Sequence, residues 1–306
     1  MANSSNIISL GSEVHQAIEA GLPLVALEST VVTHGLPYPQ NLQLARDMEA
    51  EVRRQNAVPA TVGVLEGQIW VGMDDEQLVR LAEGVGLVKV SVRDFGPAIS
   101  SGLSGGTTVA GTLLAAQLAG LRIVATGGIG GVHREAHFDV STDLVQLART
   151  PLVVVCAGAK AILDLPATLE ILETYGVPVV GYQTDEFPAF YSRESGLPVS
   201  ASVDTPEQAA RIALAHWSLG VSSAVLVCVP PPEADALPEE QVNGAIEQAL
   251  NEARQQQIHG QAVTPFLLRR VSELTHGNSL RANLALLRNN ACVAAQIAKY
   301  LKYVEI

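Results

Sequence analysis

The sequence is poor in cysteine and aromatic residues and has no long uninterrupted hydrophobic run. Its three cysteines, Cys156, Cys228 and Cys292, stand far apart in the sequence among apolar neighbours, which argues against a disulfide framework and against a zinc cluster. No apolar run reaches the ~18 residues of a membrane-spanning helix, and residues 1–6 lack the features of an export signal. We therefore expect a cytoplasmic protein with reduced cysteines.

Positive charge is also scarce. The 306 residues include 19 lysines and arginines against 31 aspartates and glutamates, a formal net charge of −12, which argues against a nucleic-acid polymer as partner. What is abundant is aliphatic: alanine, valine, leucine and isoleucine dominate a hydrophobic fraction of 48%, as is typical of buried parallel strands covered by helices. This composition favours a soluble enzyme that acts on small molecules.

Apolar strand-like runs alternate with amphipathic helix-like segments along most of the chain. We predict strands over residues 24–28, 61–65, 88–92, 123–126, 152–156, 177–182 and 224–229. We predict helices over residues 38–55, 74–84, 108–119, 141–149, 161–175 and 206–218, and a helical C-terminal region that includes residues 238–257 and 279–303. The alternation predicts a three-layer α/β/α fold in a single domain, residues 1–306. A hairpin over residues 62–71 makes the central sheet mixed, although mostly parallel.

Lys160 is the best nucleophile candidate of the sequence. It follows an apolar strand and a turn of small residues, so its amine is expected at the carboxyl end of a strand, where open α/β sheets bind ligands. Desolvation there favours the neutral amine, which can form a Schiff base. The alternative is a structural lysine that extends to solvent or pairs with Asp164.

Two further charged residues lie in or just after apolar strands. Glu28 follows residues 24–27, and a partly buried carboxylate in that position can act as a general acid or base. A glutamate that caps a helix or forms an ion pair is the equally weighted alternative. Lys89 alternates with valines, so taken alone it favours a solvent-facing side chain on an edge strand.

Glycine-rich stretches occupy residues 104–108, before a predicted helix, and residues 126–134, after a predicted strand. Such stretches let backbone amides approach an anionic ligand closely. Neither matches the Walker loop or the dinucleotide-binding fingerprint. Tight turns are therefore the slightly favoured interpretation of both.

A turn-rich segment that follows the second glycine stretch gathers imidazoles and carboxylates. His133 and His137 suggest zinc, but no third nitrogen or sulfur ligand is nearby in the sequence. Asp139 with water molecules better suits magnesium or manganese. Ser141 and Asp143 are well explained as the cap and first-turn residue of the next helix.

Seven ordered motifs, which span nearly the whole chain, resemble those of the pseudouridine-5'-phosphate glycosidase family, which includes indigoidine synthase A-like proteins. The motifs are ALESTVVTHGLPYP (26–39), PATVG (59–63), GGTTVA (105–110), TGGIGGVHR (126–134), CAGAK (156–160), TDEFPAF (184–190) and ANLALLRNNA (282–291). The resemblance implies reversible cleavage of pseudouridine 5'-phosphate to uracil and ribose 5-phosphate, with a manganese ion and a homotrimeric assembly.

Residue roles follow from the resemblance by position. It implies that Lys160 is the nucleophile, Glu28 the proton donor and Asp139 the ligand of the manganese ion, for which magnesium is an alternative. It implies substrate contacts at Lys89, Val109, Ser141, Thr142, Asp143, His133 and Asn283.

Other functions are compatible with parts of this pattern. A related C-glycosidic enzyme could act on another base or in pigment biosynthesis with the same lysine chemistry. A phosphosugar-binding regulator without turnover and a sugar-kinase-like protein are rivals from other classes. Glu28 and Lys160 argue against the regulator, and the missing nucleotide fingerprint argues against the kinase.

Overall fold

The computed structural model describes residues 7–134, 139–258 and 263–301. The strands of this part are β1 (Ile8–Leu10), β2 (Leu24–Leu27), β3 (Val58–Leu65), β4 (Gln68–Val71), β5 (Val88–Val90), β6 (Gly105–Thr107), β7 (Ile123–Ala125), β8 (Val132–His133), β9 (Val153–Cys156), β10 (Leu163–Asp164), β11 (Val179–Tyr182), β12 (Ala201–Val203) and β13 (Val225–Cys228).

Helices precede, connect and follow these strands. They are α1 (Ser12–Glu19), α2 (Gln40–Arg54), α3 (Asp75–Glu83), α4 (Phe95–Ser100), α5 (Val109–Leu118), α6 (Thr142–Leu147), α7 (Leu165–Thr174), α8 (Pro206–Ser218), α9 (Glu239–Gln255), α10 (Val263–Leu274) and α11 (Asn278–Ala298). A single π-helical turn covers Val31–Gly35 and a 3₁₀ turn covers Val92–Asp94.

The central sheet runs in the order β1-β4-β3-β2-β7-β9-β13-β11-β12, and β6 branches from β3 and carries β5. The pairs from β3 through β2 to β12 are parallel, whereas β3 pairs antiparallel with both β4 and β6. Strands β8 and β10 form a separate antiparallel pair. The predicted mixed, mostly parallel sheet and the hairpin over residues 62–71 are thus confirmed.

The middle of the sheet forms the core because its strands are apolar on both faces. Every residue of β2, β9, β11 and β13 is buried, as expected for parallel strands covered by helices. Helices α5 and α11 both pack against β2 and β7, and α11 also packs against β9. The three-layer α/β/α class and the helical C-terminal region are confirmed, while the assignment of one domain stays a prediction.

Three details differ from the sequence prediction. Residues 105–107 form strand β6 rather than a tight turn, since a Cβ at Gly105 would lie 2.0 Å from the Val88 carbonyl oxygen and glycine lets the two strands approach. The predicted helix over residues 161–175 begins only at Leu165, because Leu163 and Asp164 pair with β8. Helix α11 ends at Ala298, and residues 302–303 of its predicted span lie outside the described residues, as do residues 1–6 and His137.

The cysteines are free, as predicted, but two of them are neighbours in space. Cys156 and Cys228 lie opposite each other on the adjacent strands β9 and β13. Burial and the adjoining Cys156 thiol raise the pKa of Cys228, which keeps it protonated and unreactive. Within the described ranges, no helix combines the length and apolarity needed to cross a membrane.

Candidate active site

Three neighbouring parallel strands bring their carboxyl ends to one edge of the sheet. Strands β2, β7 and β9 lie side by side. Glu28 directly follows β2, Thr126 directly follows β7, and Lys160 follows the short turn after β9. Because parallel strands end at the same edge, these chain segments place a carboxylate, a hydroxyl and an amine in one region.

The turn before Lys160 depends on close backbone packing. Gly158 has a φ of +85°, and a Cβ there would lie 2.2 Å from the carbonyl oxygen of Pro188, so the position requires glycine. The Lys160 N–H then donates to the carbonyl of Ile129 at 3.1 Å. These contacts fix the backbone of the half-buried Lys160 against the second glycine-rich stretch.

Glu28 carries a buried carboxylate just after β2. Only 7% of the residue is exposed, and the Thr126 hydroxyl donates to Oε1 of its carboxylate. Burial raises the pKa of Glu28 above its usual value; Lys160, the Thr126 hydroxyl and Lys89 oppose this shift, and Asp143 reinforces it. Glu28 therefore keeps a proton to higher pH than an ordinary glutamate, as a general acid requires.

A cavity of about 940 Å³ opens in front of these residues. Glu28, Lys89 and Lys160 line it, and Asn283 of α11 lines it from the helical C-terminal region. Residues of α10 and of the π-helical turn form further parts of its wall. Its volume lies in the range of small-molecule sites, roughly 300–1,000 Å³.

Lys89 does not face solvent in the way that its alternation with valines favoured. It lies on the edge strand β5, but its side chain is half-buried and lines the cavity. Burial and the neighbouring Lys160 ammonium lower the pKa of Lys89, whereas Asp143, Glu28 and Asp94 raise it. Lys89, Lys160 and Glu28 therefore interact electrostatically around the same cavity.

Asp143 lies outside the cavity lining but close enough to act on it electrostatically. Its carboxylate accepts hydrogen bonds from the N–H groups of Ala110, at 2.9 Å, and Gly130, at 2.8 Å. Ser141 caps α6 and accepts from the Asp143 N–H. Asp143 therefore joins the starts of α5 and α6 to the second glycine-rich stretch.

The predicted site residues divide into two groups. Those that line the cavity are Glu28, Lys89, Lys160 and Asn283. Those that the structure places outside its lining are Val109, His133, Asp139, Ser141, Thr142 and Asp143. Val109 is buried at the start of α5, and His133 is partly buried on β8.

Sequence reasoning missed residues that contact this site. The Thr126 hydroxyl donates a hydrogen bond to Glu28, although the sequence indicates position 126 only as a strand end and the start of a glycine stretch. His34 lines the cavity, and its Nδ1 lies 2.6 Å from the Thr33 hydroxyl. Partial desolvation and the Lys89 ammonium lower the pKa of His34. His34 could have been predicted as a site residue, because it belongs to the same sequence motif as Glu28.

The residues near Asp139 offer a metal ion few protein ligands. Asp139 is exposed, and among residues 7–134, 139–258 and 263–301 no group of three His, Cys, Asp or Glu side chains forms a metal-binding set. Both carboxylate oxygens of Asp143 already accept backbone hydrogen bonds. One carboxylate completed by several waters suits magnesium or manganese, whereas zinc takes three or four protein ligands, a set that the described residues do not provide.

A buried acid and a lysine at the strand ends of an open α/β sheet, with a second lysine in the same cavity, define the chain as an α/β protein with an enzyme-like site. A sequence model of the family described as indigoidine synthase A like protein matches residues 13–300. The chain belongs to this family.

Relatives match over nearly their whole length. The pseudouridine-5'-phosphate glycosidase of Solibacter usitatus is 51% identical, with 96% of this chain and 99% of its own covered. That of Methylobacterium nodulans is 52% identical, with 97% and 88% covered. The crystal structure of the prealnumycin C-glycosynthase AlnA in complex with ribulose 5-phosphate superposes with a TM-score of 0.90, at 40% identity and 97% coverage of each chain. An indigoidine synthase A-like protein from Thermotoga maritima gives a TM-score of 0.88, at 34% identity with 97% and 98% covered.

Proposed function

We propose that this protein reversibly cleaves the C-glycosidic bond of pseudouridine 5'-phosphate to uracil and ribose 5-phosphate. Two relatives that share about half of their residues with this chain, over most of its length, are named pseudouridine-5'-phosphate glycosidase, which supports this substrate. The ribulose 5-phosphate complex of AlnA supports a phosphosugar ligand. The observation that carries the proposal is the buried Glu28, with a raised pKa, interacting with Lys160 across the cavity.

The chemistry of the substrate calls for a covalent route. In a C-glycoside the leaving atom is a carbon without a lone pair, so the direct protonation of a glycosidic oxygen, on which ordinary glycosidases rely, is not available. An amine nucleophile provides another route, because its lone pair can expel the carbon leaving group. Of the two lysines that line the cavity, Lys160 has the larger electrostatic effect on Glu28.

In the proposed reaction, protonated Glu28 delivers its proton to the ribose ring oxygen while the neutral Lys160 amine attacks C1'. The C1'–N bond forms, the bond from C1' to the ring oxygen breaks, and the opened sugar stays attached to Lys160. The Glu28 carboxylate then removes a proton from the adduct nitrogen, which restores the nitrogen lone pair, and delivers it to uracil C5. The C1'–C5 bond can now break, and its electrons restore the uracil ring. The nitrogen lone pair forms a lysine iminium, which water hydrolyses to ribose 5-phosphate and free Lys160.

Substrate binding is assigned to the cations and polar groups around these two residues. We assign the phosphate or the opened sugar to Lys89, whose ammonium lines the cavity. Asn283 contacts the substrate from α11. The remaining substrate contacts are those that the family resemblance implies: His133, Val109, Ser141, Thr142 and Asp143.

We assign a manganese ion to Asp139, with magnesium as the alternative. Bound there through one carboxylate and waters, the ion would add positive charge near a phosphosugar. Chelation followed by manganese addition tests this assignment in wild type and in Asp139→Asn. The spectrum of bound manganese in electron paramagnetic resonance provides a second measurement that does not depend on turnover.

Assembly and location complete the proposal. We infer a homotrimer, which analytical ultracentrifugation would test directly, and a cytoplasmic location. Both rest on the family resemblance and on the composition of the chain.

A second candidate function is C–C bond formation or cleavage with a different aglycone. The similarity to AlnA, named a C-glycosynthase, favours it. The lysine chemistry would be unchanged, and only the contacts to the leaving group would differ. Assays with a series of C-nucleoside phosphates and aglycones separate this candidate from the first.

The direct test is to incubate the purified protein with pseudouridine 5'-phosphate and manganese and to quantify uracil and ribose 5-phosphate by mass spectrometry. Stoichiometric release of both products is expected. If folded, manganese-loaded protein releases neither product, pseudouridine 5'-phosphate is rejected as the substrate.

A further inference from the structure

Asn290 is a fully buried polar residue in the apolar face of α11. Its Nδ2 donates to the carbonyl oxygens of Thr126, at 2.8 Å, and Gly127, at 3.3 Å. Its Oδ1 has no hydrogen-bond partner within the described chain. Burying an unpaired amide oxygen costs free energy. The favourable contribution of Asn290 therefore comes from the two hydrogen bonds that its Nδ2 makes just after β7.

The two carbonyls lie where β7 stops and the second glycine-rich stretch begins. The N–H of Thr126 still donates to Val155 of β9 at 3.0 Å. Strand β7 itself ends at Ala125, but the pairing continues, because the Gly127 carbonyl also accepts from the Ala157 N–H at 2.9 Å. Asn290 therefore ties α11 to the start of the second glycine-rich stretch, where the backbone is also paired with the segment that follows β9.

Thr126 connects this tie to the acid. Its carbonyl accepts from Asn290, and its hydroxyl donates to Oε1 of Glu28. Both groups belong to one residue, so a backbone shift at Thr126 moves the hydroxyl away from the carboxylate. A hydrogen bond to an ionised group weakens steeply when its geometry is lost.

The same helix also contributes a cavity residue. Asn283 lines the cavity, and Asn290 lies seven residues later, which is close to two helical turns and thus on the same face. Leu287, between them on that face, also lines the cavity. One face of α11 therefore borders the cavity through Asn283 and supports the strand end through Asn290.

We propose that Asn290 is a positioning residue that holds Thr126 so that its hydroxyl stays bonded to the Glu28 carboxylate. The proposal rests on the proposed function, in which Glu28 is the proton donor. Asn290 itself contacts no substrate in this account, and it acts only through Thr126.

The proposal predicts a measurable shift in the titration of Glu28. The Thr126 hydroxyl lowers the pKa of Glu28, because it stabilises the ionised carboxylate. Loss of that bond therefore moves the Glu28 titration to higher pH. Because a hydrogen bond to a charged group is comparatively strong, we expect the midpoint of the Glu28 titration to shift upward by about one pH unit in Thr126→Val. In Asn290→Ala, where the hydroxyl is loosened rather than removed, we expect roughly half of that shift.

Four variants test the inference: Thr126→Val, Asn290→Ala, the double variant and Asn289→Ala. Asn289 is the matched control, a partly buried asparagine on the same helix for which no hydrogen bond to the strand is observed within the described residues. Infrared difference spectra follow the carboxyl titration without requiring turnover, and the band absent from Glu28→Gln assigns the signal. The pH dependence of kcat/KM and the thermal midpoint are measured alongside.

The expected result is an upward shift in Asn290→Ala, no shift in Asn289→Ala, and a double variant that titrates like Thr126→Val alone, because both substitutions act on one hydrogen bond. An Asn290→Ala protein with a lower thermal midpoint but the wild-type Glu28 titration overturns the inference. So does a double variant whose shift is the sum of the single shifts. If wild type releases no uracil, the proposed function fails, but the infrared titration still decides the role of Asn290.

Discussion

Glu28 and Glu49 are two buried glutamates with similar immediate contacts and different surroundings. Each is 7% exposed and accepts a hydrogen bond from a threonine hydroxyl, of Thr126 and Thr61 respectively. Burial raises the pKa of both carboxyls. Burial and a raised pKa therefore do not by themselves identify a catalytic acid.

The difference lies in what faces each carboxylate. Glu49 accepts from Arg53 of its own helix at 3.0 Å and is not part of the cavity lining. Glu28 lines the cavity, and its charged partners are Lys160 and Lys89, which line it too. Glu28 shares an open cavity with Lys160, its partner in the proposed reaction, whereas Glu49 supports the packing of α2 against β3.

The largest expected effect comes from removing the nucleophile. Lys160→Ala should abolish release of uracil, and Lys160→Arg should do the same because a guanidinium stays protonated. Circular dichroism and the thermal midpoint should stay close to wild type, since Lys160 is only half-buried. Turnover above about one thousandth of the wild-type rate in either variant is incompatible with covalent catalysis by this amine.

The next effect separates the two glutamates directly. Glu28→Gln should lower kcat by about 10²- to 10⁴-fold, the range for loss of a general acid. Glu49→Gln is the matched control and should keep kcat within about threefold of wild type, because no substrate reaches it. The rates are measured in the same uracil-release assay. Equal losses of kcat in both variants would mean that lining the cavity does not give Glu28 a role that Glu49 lacks.

Lys89→Met tests the assignment of the anionic part of the substrate. Loss of a charge-assisted hydrogen bond of about 1.5–3 kcal/mol should lower kcat/KM by roughly 10- to 100-fold. The loss should appear mainly in KM if Lys89 binds the phosphate. Pseudouridine without phosphate provides the control, because its weak reaction should be little changed. A Lys89→Met variant with unchanged KM for the phosphorylated substrate contradicts the assignment.

The smallest effect concerns stability at Glu49. Because its folded pKa is raised above the ordinary value of 4.5, the protonated form favours folding, and this contribution is lost as the pH rises through the folded pKa. The free energy of unfolding of wild type relative to Glu49→Gln should therefore fall as the pH increases above about 4.5. Urea titrations at several pH values measure it. A difference that grows with pH would mean that the bonds from Arg53 and Thr61 outweigh burial.

Much of the fold could be predicted because its strands are short apolar runs separated by amphipathic helices. The strand ends at Leu27, Ala125 and Cys156 lie within a residue of the prediction. The prediction was wrong at residues 105–107, since glycine clusters signal turns and a close strand pairing looks the same in sequence. It also gave no bounds for α10, which lies within the predicted helical C-terminal region and whose residues line the cavity.

From residue chemistry alone, the site could be predicted only where a residue carries a recognisable chemical signal at a strand end, whereas the family resemblance added Lys89 and Asn283, which also line the cavity. Glu28 and Lys160 have that signal, and the structure brings them to one cavity. Thr126 and Asn290 do not, because an uncharged threonine or asparagine acquires its role from hydrogen bonds that join β2, β7 and α11 across 98 and 164 residues of sequence. Asp143 illustrates the reverse case: it was explained as a helix-start residue and also bonds to two distant backbone amides.

The central claim, a covalent sugar adduct on Lys160, is tested most directly by reductive trapping. The protein is incubated with ribose 5-phosphate and borohydride, digested and mapped by mass spectrometry. The account predicts a single modified peptide, with Lys160 carrying the mass of ribose 5-phosphate less water plus two hydrogens, and no adduct in Lys160→Ala. An active enzyme that gives no adduct, or an adduct on Lys89 in place of Lys160, would contradict it.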